Sequence, residues 1–128
     1  MYRIAPDNSF EVVAAGETRR LNGVVVTEEG IVIVTFGTGQ MYRIDATGQP
    51  QDVTTAPQGA LDGVIALDNA RYIVSSWSGS ALYKRGDDGL FTLLADALEA
   101  PADIGYDSKR RRVMVPLFNS DTLVILPL

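Results

Sequence analysis

The chain contains neither cysteine nor histidine. Their absence removes disulfides, thiolate chemistry, any Ser-His-Asp or Cys-His arrangement, and zinc sites built on those ligands. A metal bound here must be held by oxygen, which favours Ca²⁺, Mg²⁺ or Mn²⁺. There is a single tryptophan. No apolar run approaches the ~18 residues that a membrane span needs, and Met1-Tyr2-Arg3-Ile4 does not open an apolar signal segment. Positive charge is scarce too: 11 Lys and Arg stand against 16 Asp and Glu, for a net charge of −5. Such a field repels phosphate backbones and anionic lipid, so neither nucleic acid nor a membrane surface is expected as a partner.

What is present is a repeat. MYRIAPDNSFEVV at Met1, MYRIDATGQPQDV at Met41, LYKRGDDGLFTLL at Leu82 and LVILPL at Leu123 begin 40, 41 and 41 residues apart. A second marker agrees: Leu21-Asn22-Gly23-Val24, Leu61-Asp62-Gly63-Val64 and Pro101-Ala102-Asp103-Ile104 are each 40 apart. The fullest unit runs from Leu61 to Leu94. Its apolar runs at Val64–Leu67, Arg71–Ser76, Ala81–Arg85 and Leu90–Leu94 are separated by turns at Asp68-Asn69-Ala70, Ser78-Gly79-Ser80 and Gly86-Asp87-Asp88-Gly89. Four short strands with no room for a helix make an antiparallel meander. Four strands per period of about 40 residues predict an all-β fold, a β-propeller whose blades bury their faces only against neighbouring blades.

With the strands of a blade lettered A to D, residues 1–15 supply strands C and D, 21–55 and 61–95 are whole blades, and 101–128 supply strands A to C. That predicts thirteen strands in about three four-stranded blades. Leu93 to Ala100 has helical propensity, but its register makes it strand D and a loop, with at most one helical turn. Propellers typically close with four to eight blades, so these blades are part or half of a ring. Two readings follow: a segment whose N-terminal half is missing, or a half that closes with a second copy.

Antiparallel pairing also fixes which loops share a face. Asn22 and Asp62, read as lying just before strand A, share one with 36–39, 77–80 and 118–121, and with Asp103 they point at the central channel. The residues alone leave two interpretations of this ring of short oxygen side chains. Asn-Gly and Asp-Gly are common turn dipeptides, which a repeat will repeat; alternatively the ring is a site. Trp77, at a strand B end on the same face, is either rim packing or a ligand-stacking surface. The basic run Lys109-Arg110-Arg111-Arg112 falls on the opposite face as a solvated hairpin tip. Tyr2, Tyr42 and Tyr83 recur at one blade position and are read as blade-to-blade packing.

With LNGVVVTEEG, LDGVIALDN and APADIGYDSKRRRVMVPLF in view, the chain resembles the C-terminal half of the gluconolactonase/regucalcin-like six-bladed propellers. In that family an Asn-Gly and an Asp-Gly in successive blades hold a divalent cation in the channel, matching Asn22-Gly23 and Asp62-Gly63. The resemblance implies a lactone hydrolase using Ca²⁺, Mn²⁺ or Mg²⁺, with Asn22 and Asp62 as metal ligands, Asp62 also as catalytic base, and a small-molecule lactone as substrate. The family's glutamate ligand has no counterpart here, so metal binding by this chain alone is expected to be weak. The competing class is a non-catalytic propeller module that binds a small ligand or a protein on the same face, with Trp77 and Asp103 as ligand-binding residues.

If these 128 residues act alone, a two-fold dimer approximating a six-bladed ring is expected, with a large apolar interface. Light scattering measures this directly. A stable monomer would leave the segment reading.

Overall fold

The computed structural model describes residues 1–13, 20–68 and 70–128. Ala14 and Ala15 of the first expected segment, and Asn69 of the expected 68–70 turn, lie outside the described residues. Among the described residues there are thirteen strands and no helix. They are β1 (Tyr2–Ile4), β2 (Phe10–Val12), β3 (Leu21–Thr27), β4 (Gly30–Thr35), β5 (Gln40–Ile44), β6 (Pro50–Thr55), β7 (Leu61–Ala66), β8 (Tyr72–Ser76), β9 (Ala81–Arg85), β10 (Phe91–Ala95), β11 (Gly105–Asp107), β12 (Arg112–Leu117) and β13 (Thr122–Pro127). Each of the four sheets is an antiparallel meander in chain order: β1–β2, β3–β6, β7–β10 and β11–β13. We call these sheets blades 1 to 4. The helical propensity after Leu93 is overridden: β10 runs to Ala95 and a loop follows.

The central strand of a blade is apolar at successive positions because both of its faces are covered. In β4, Val32 and Val34 pack toward blade 3, while Ile33 and the half-buried Ile31 pack toward blade 1. In β8, Tyr72 and Val74 join the core shared with blade 2, and Ile73 joins that shared with blade 4. The three apolar cores of the described residues thus lie between blades.

The hairpin joining the two outer strands is built the same way three times. The N–H groups of Ala5, Asp45 and Gly86 bond to the carbonyls of Ser9, Gln49 and Leu90, at 2.8, 3.0 and 2.9 Å. Asn8, Gly48 and Gly89 turn the chain through positive φ, which Gly and Asn tolerate best. Asp45 also accepts the Gln49 N–H and the Thr47 hydroxyl, which pull its pKa down to about 2.

The Gly residues of the second marker do something different. Asn22-Gly23 and Asp62-Gly63 lie inside β3 and β7 rather than before them, and neither Gly has positive φ. They are not turn dipeptides. Pairing shifts register between Leu21 and Val24, and again between Leu61 and Val64, so each dipeptide is a bulge that re-aims its side chains. A Cβ on Gly23 would strike the Asp62 carbonyl oxygen and stand 2.9 Å from Val34 Cγ2. A Cβ on Gly63 would strike the Ile104 nitrogen and stand 2.9 Å from Asp103 Cα. Each glycine is therefore the seat on which the next blade's inner chain rests.

The end blades expose faces that interior blades bury. Tyr42 and Ile44, at 8% and 5% exposure, pack onto the preceding blade, whereas their repeat partners Tyr2 and Ile4 are 64% and 72% exposed. Tyr83 is buried like Tyr42, so the tyrosine position does pack blades wherever a preceding blade exists. At the far end, Leu123 is exposed although its repeat partners Leu82 and Met41 are buried.

Gly63→Ala should destabilise the fold by about 1–3 kcal/mol or more, because backbone and not a flexible side chain stands in the way. Gly59→Ala, where the nearest atom to a new Cβ is 3.9 Å away, should be near neutral. Urea denaturation of the two variants measures the difference.

Candidate functional site

Three short connections bring the site together, and each is held by the same hydrogen bond. The N–H groups of Phe36, Trp77 and Phe118, which follow β4, β8 and β12, donate to the carbonyls of Arg20, Ala60 and Ala100 at 2.9, 3.0 and 3.0 Å. The three accepting residues have positive φ, at 57°, 53° and 45°, a strained conformation for a side-chain-bearing residue. The bond places an aromatic residue of each blade beside the chain that starts its innermost strand. Ser76 supports this end of blade 3: its buried hydroxyl donates to the Gly59 carbonyl at 2.7 Å and accepts the Gly79 N–H at 3.0 Å.

The rings then meet across blades. Phe36 and Trp77 lie 5.7 Å apart edge to face, and Trp77 and Phe118 lie 5.3 Å apart with tilted planes. Phe118 is 66% exposed, and the other two rings are half-buried. Trp77 Nε1 donates to Asp62 Oδ2 at 2.9 Å, which ties the middle of the arc to the channel. Trp77 thus packs at the rim between two neighbouring rings, with its N–H committed to Asp62.

Asp62 is half-buried, and burial is the main reason its pKa is raised, with the Asp103 carboxylate adding to the shift. Hydrogen bonds from the Trp77 indole and the Asn22 amide act in the opposite direction. Among the described residues no Lys or Arg forms an ion pair with Asp62 or Asp103. Asn22, Asp62 and Trp77 therefore come together, with Asp103 close enough to be felt electrostatically. The repeat position of Asn22 and Asp62 is taken by Ala102, and Asp103 stands one residue later, exposed.

The donor set is short of a complete hard-cation site. Asn22 and Asp62 offer two protein ligands, three side-chain oxygens in all, where Ca²⁺ prefers six to eight oxygens. Among the described residues no group of three or more acidic side chains is arranged to hold a metal. On the opposite face, Asp107 accepts Arg110 Nη1 at 3.2 Å and Arg112 Nη2 at 3.0 Å, and Lys109 to Arg111 are exposed, as a solvated hairpin tip should be.

The blade geometry has counterparts among solved structures. Virginiamycin B lyase from Staphylococcus aureus, in its selenomethionine form, matches with a TM-score of 0.62 and 11% identity, over 86% of this chain and 42% of that one. A catalytically inactive histidine-to-alanine variant of the same enzyme with quinupristin matches at 0.65 and 14%, over 99% and 48%. The chain is a β-propeller segment. A streptogramin B lyase structure matches at 0.62 and 14%, over 86% and 41%. This propeller segment spans less than half the length of each, and at these identities the likeness is one of fold. No protein-family model and no curated protein matches the sequence.

The sequence places Phe36, Trp77 and Phe118 on one face, and the structure adds that the three rings touch. The signal of this arc is the 41-residue spacing on either side of Trp77, the same period that revealed the blades.

Because the folded-state pKa of Asp62 is raised, the native chain holds that proton more tightly than the unfolded chain. Its contribution to stability is greatest below the ordinary Asp range and is lost as pH rises through the folded pKa. Asp62→Asn keeps an acceptor for Trp77 but no longer titrates. Its stability relative to the parent should therefore improve between pH 3 and pH 7, as read by urea denaturation at each pH. Trp77→Phe should raise the Asp62 pKa further, seen by NMR titration of the carboxyl carbon.

Proposed function

We propose that this propeller segment binds a small molecule on its channel face, without catalysis of its own. The observation that carries the reading is the arc of three aromatic rings anchored over Asp62 by the Trp77 indole. Rings left partly open beside a few convergent polar groups are what small-molecule sites are made of. A solved neighbour of the same shape contains quinupristin, which supports ligand binding by propellers of this form. The lyase chemistry itself does not transfer: that protein is inactive once a histidine is replaced, and this chain has none.

Metal-dependent lactone hydrolysis is the second reading, favoured by the approach of Asn22 to Asp62 from the adjacent inner strand. It requires at least one further carboxylate ligand beyond Asn22 and Asp62. In that reading Asn22 and Asp62 would hold the cation, which would polarise a carbonyl and acidify water, and Asp62 would also be the base. The exposed faces of blades 1 and 4 accept further propeller blades in either reading, whether from a second copy or from another segment.

Lactone turnover by this chain would decide against the binding-only reading. Incubated with a panel of sugar lactones and Ca²⁺ or Mn²⁺, the chain should leave the lactones intact, and calorimetry should find only weak cation binding. NMR shifts at Phe36, Trp77 and Phe118 should move with ligands that bind. Lactone turnover that disappears in Asp62→Ala would overturn the binding-only reading in favour of the hydrolase.

A further inference from the structure

We propose that the ligand is an organic cation, a quaternary or protonated amine, held between the Phe36–Trp77–Phe118 arc and the carboxylates of Asp62 and Asp103. This rests on the channel-face binding reading above and names the ligand class for it.

Three independent features of the face converge on a cation of this kind. The first is the net charge. Among the described residues, the segments of this face, 20–23, 36–40, 56–63, 77–81, 96–104 and 118–122, carry Asp62, Asp96, Glu99, Asp103 and Asp121 against Arg20. The other described basic residues lie elsewhere in the chain. A positive ligand is therefore drawn to this end of the blades.

The second is the state of Asp62. It is a half-buried carboxylate whose hydrogen bonds come from neutral donors, the Trp77 indole and the Asn22 amide, with no cationic side chain paired to it among the described residues. A half-buried carboxylate with only neutral partners keeps its negative charge available to a cation that reaches it. Here the balancing charge is left to the ligand.

The third is the chemistry of the rings. An aromatic face attracts a cation most strongly when the ring is an indole and when little water must be stripped away. Quaternary and alkylated ammonium ions meet the second condition, whereas Ca²⁺ and Mg²⁺ are tightly hydrated and prefer a cage of oxygens. Trp77 also donates its N–H to a carboxylate, which pushes electron density into the ring and strengthens its attraction for a cation. A neutral ligand would use the rings but not the carboxylates.

Trp77 is the only tryptophan, so its fluorescence reports from inside the site. Choline and its uncharged isostere 3,3-dimethyl-1-butanol are titrated in parallel, with Ca²⁺ as a third arm. The expected result is a saturable change with choline, and a neutral isostere weaker by about tenfold or more. Asp62→Asn and Asp103→Asn, checked for folding by circular dichroism, should each weaken choline severalfold; Asp103 is exposed, so its variant keeps the test open if Asp62→Asn folds poorly. Calorimetry on Trp77→Ala should find choline binding lost. Equal response to choline and the isostere would overturn the cation assignment and leave small-molecule binding standing. Saturation by Ca²⁺ without response to choline would overturn it in favour of the metal reading. Unchanged choline affinity in both Asp variants, or no choline binding by either method, would overturn it as well.

Discussion

The structure depends on how closely two neighbouring inner chains can approach. Gly23 leaves room for the Asp62 carbonyl, and Gly63 leaves room for the backbone at Asp103 and Ile104. A side chain at either place would push the next blade outward, and the inter-blade cores would open with it. The same bulges that admit the neighbouring backbone turn Asn22 and Asp62 toward each other. Packing and site are thus consequences of one local feature, which explains why a polar residue and a glycine travel together through the repeat. In blade 4 Ala102-Asp103 takes the place of that pair, and the polar side chain falls one residue later in the repeat.

A second constraint positions the aromatic rim. The residue two places before Asn22 or Asp62 adopts positive φ in each blade and uses its carbonyl to hold the N–H of the aromatic residue at the end of the blade's second strand. The strain at Arg20, Ala60 and Ala100 is of order 1–3 kcal/mol each and persists only because the surrounding hydrogen bonds determine it. Its effect is to bring Phe36, Trp77 and Phe118 onto one arc, close enough for Trp77 to touch both neighbours and for its indole to reach Asp62. The interior of each blade is generic apolar sandwich; the specific chemistry is at this end, where the repeats differ in Asn, Asp and Ala, and in Phe and Trp.

Sequence and structure agree most closely where a position recurs. The 40 and 41 residue offsets led to thirteen strands in four meanders, and those are the strands found. Strand ends moved by one to three residues: β3 and β7 begin at Leu21 and Leu61, not Val24 and Val64. The difference matters, since it moves Asn22 and Asp62 from a turn into a strand. Asn-Gly and Asp-Gly carry strong turn signals, and nothing local distinguishes a glycine chosen for positive φ from one chosen for absence of a Cβ. The distinguishing atoms belong to the next blade, 40 residues away.

What the sequence by itself determined is therefore everything periodic: the all-β class, the blade as the unit, the loops that share a face, and the candidate ring of Asn22, Asp62 and Asp103. Alternation and spacing are enough for these because a strand's faces and a hairpin's direction follow from local backbone geometry. Only the tertiary structure decided what the ring is made of. It bonded Trp77 to Asp62, brought Asn22 close to that carboxylate, and joined Phe36, Trp77 and Phe118 in one arc. Those are contacts between blades, created by how closely successive inner chains settle on Gly23 and Gly63, and that distance is a property of the packed assembly.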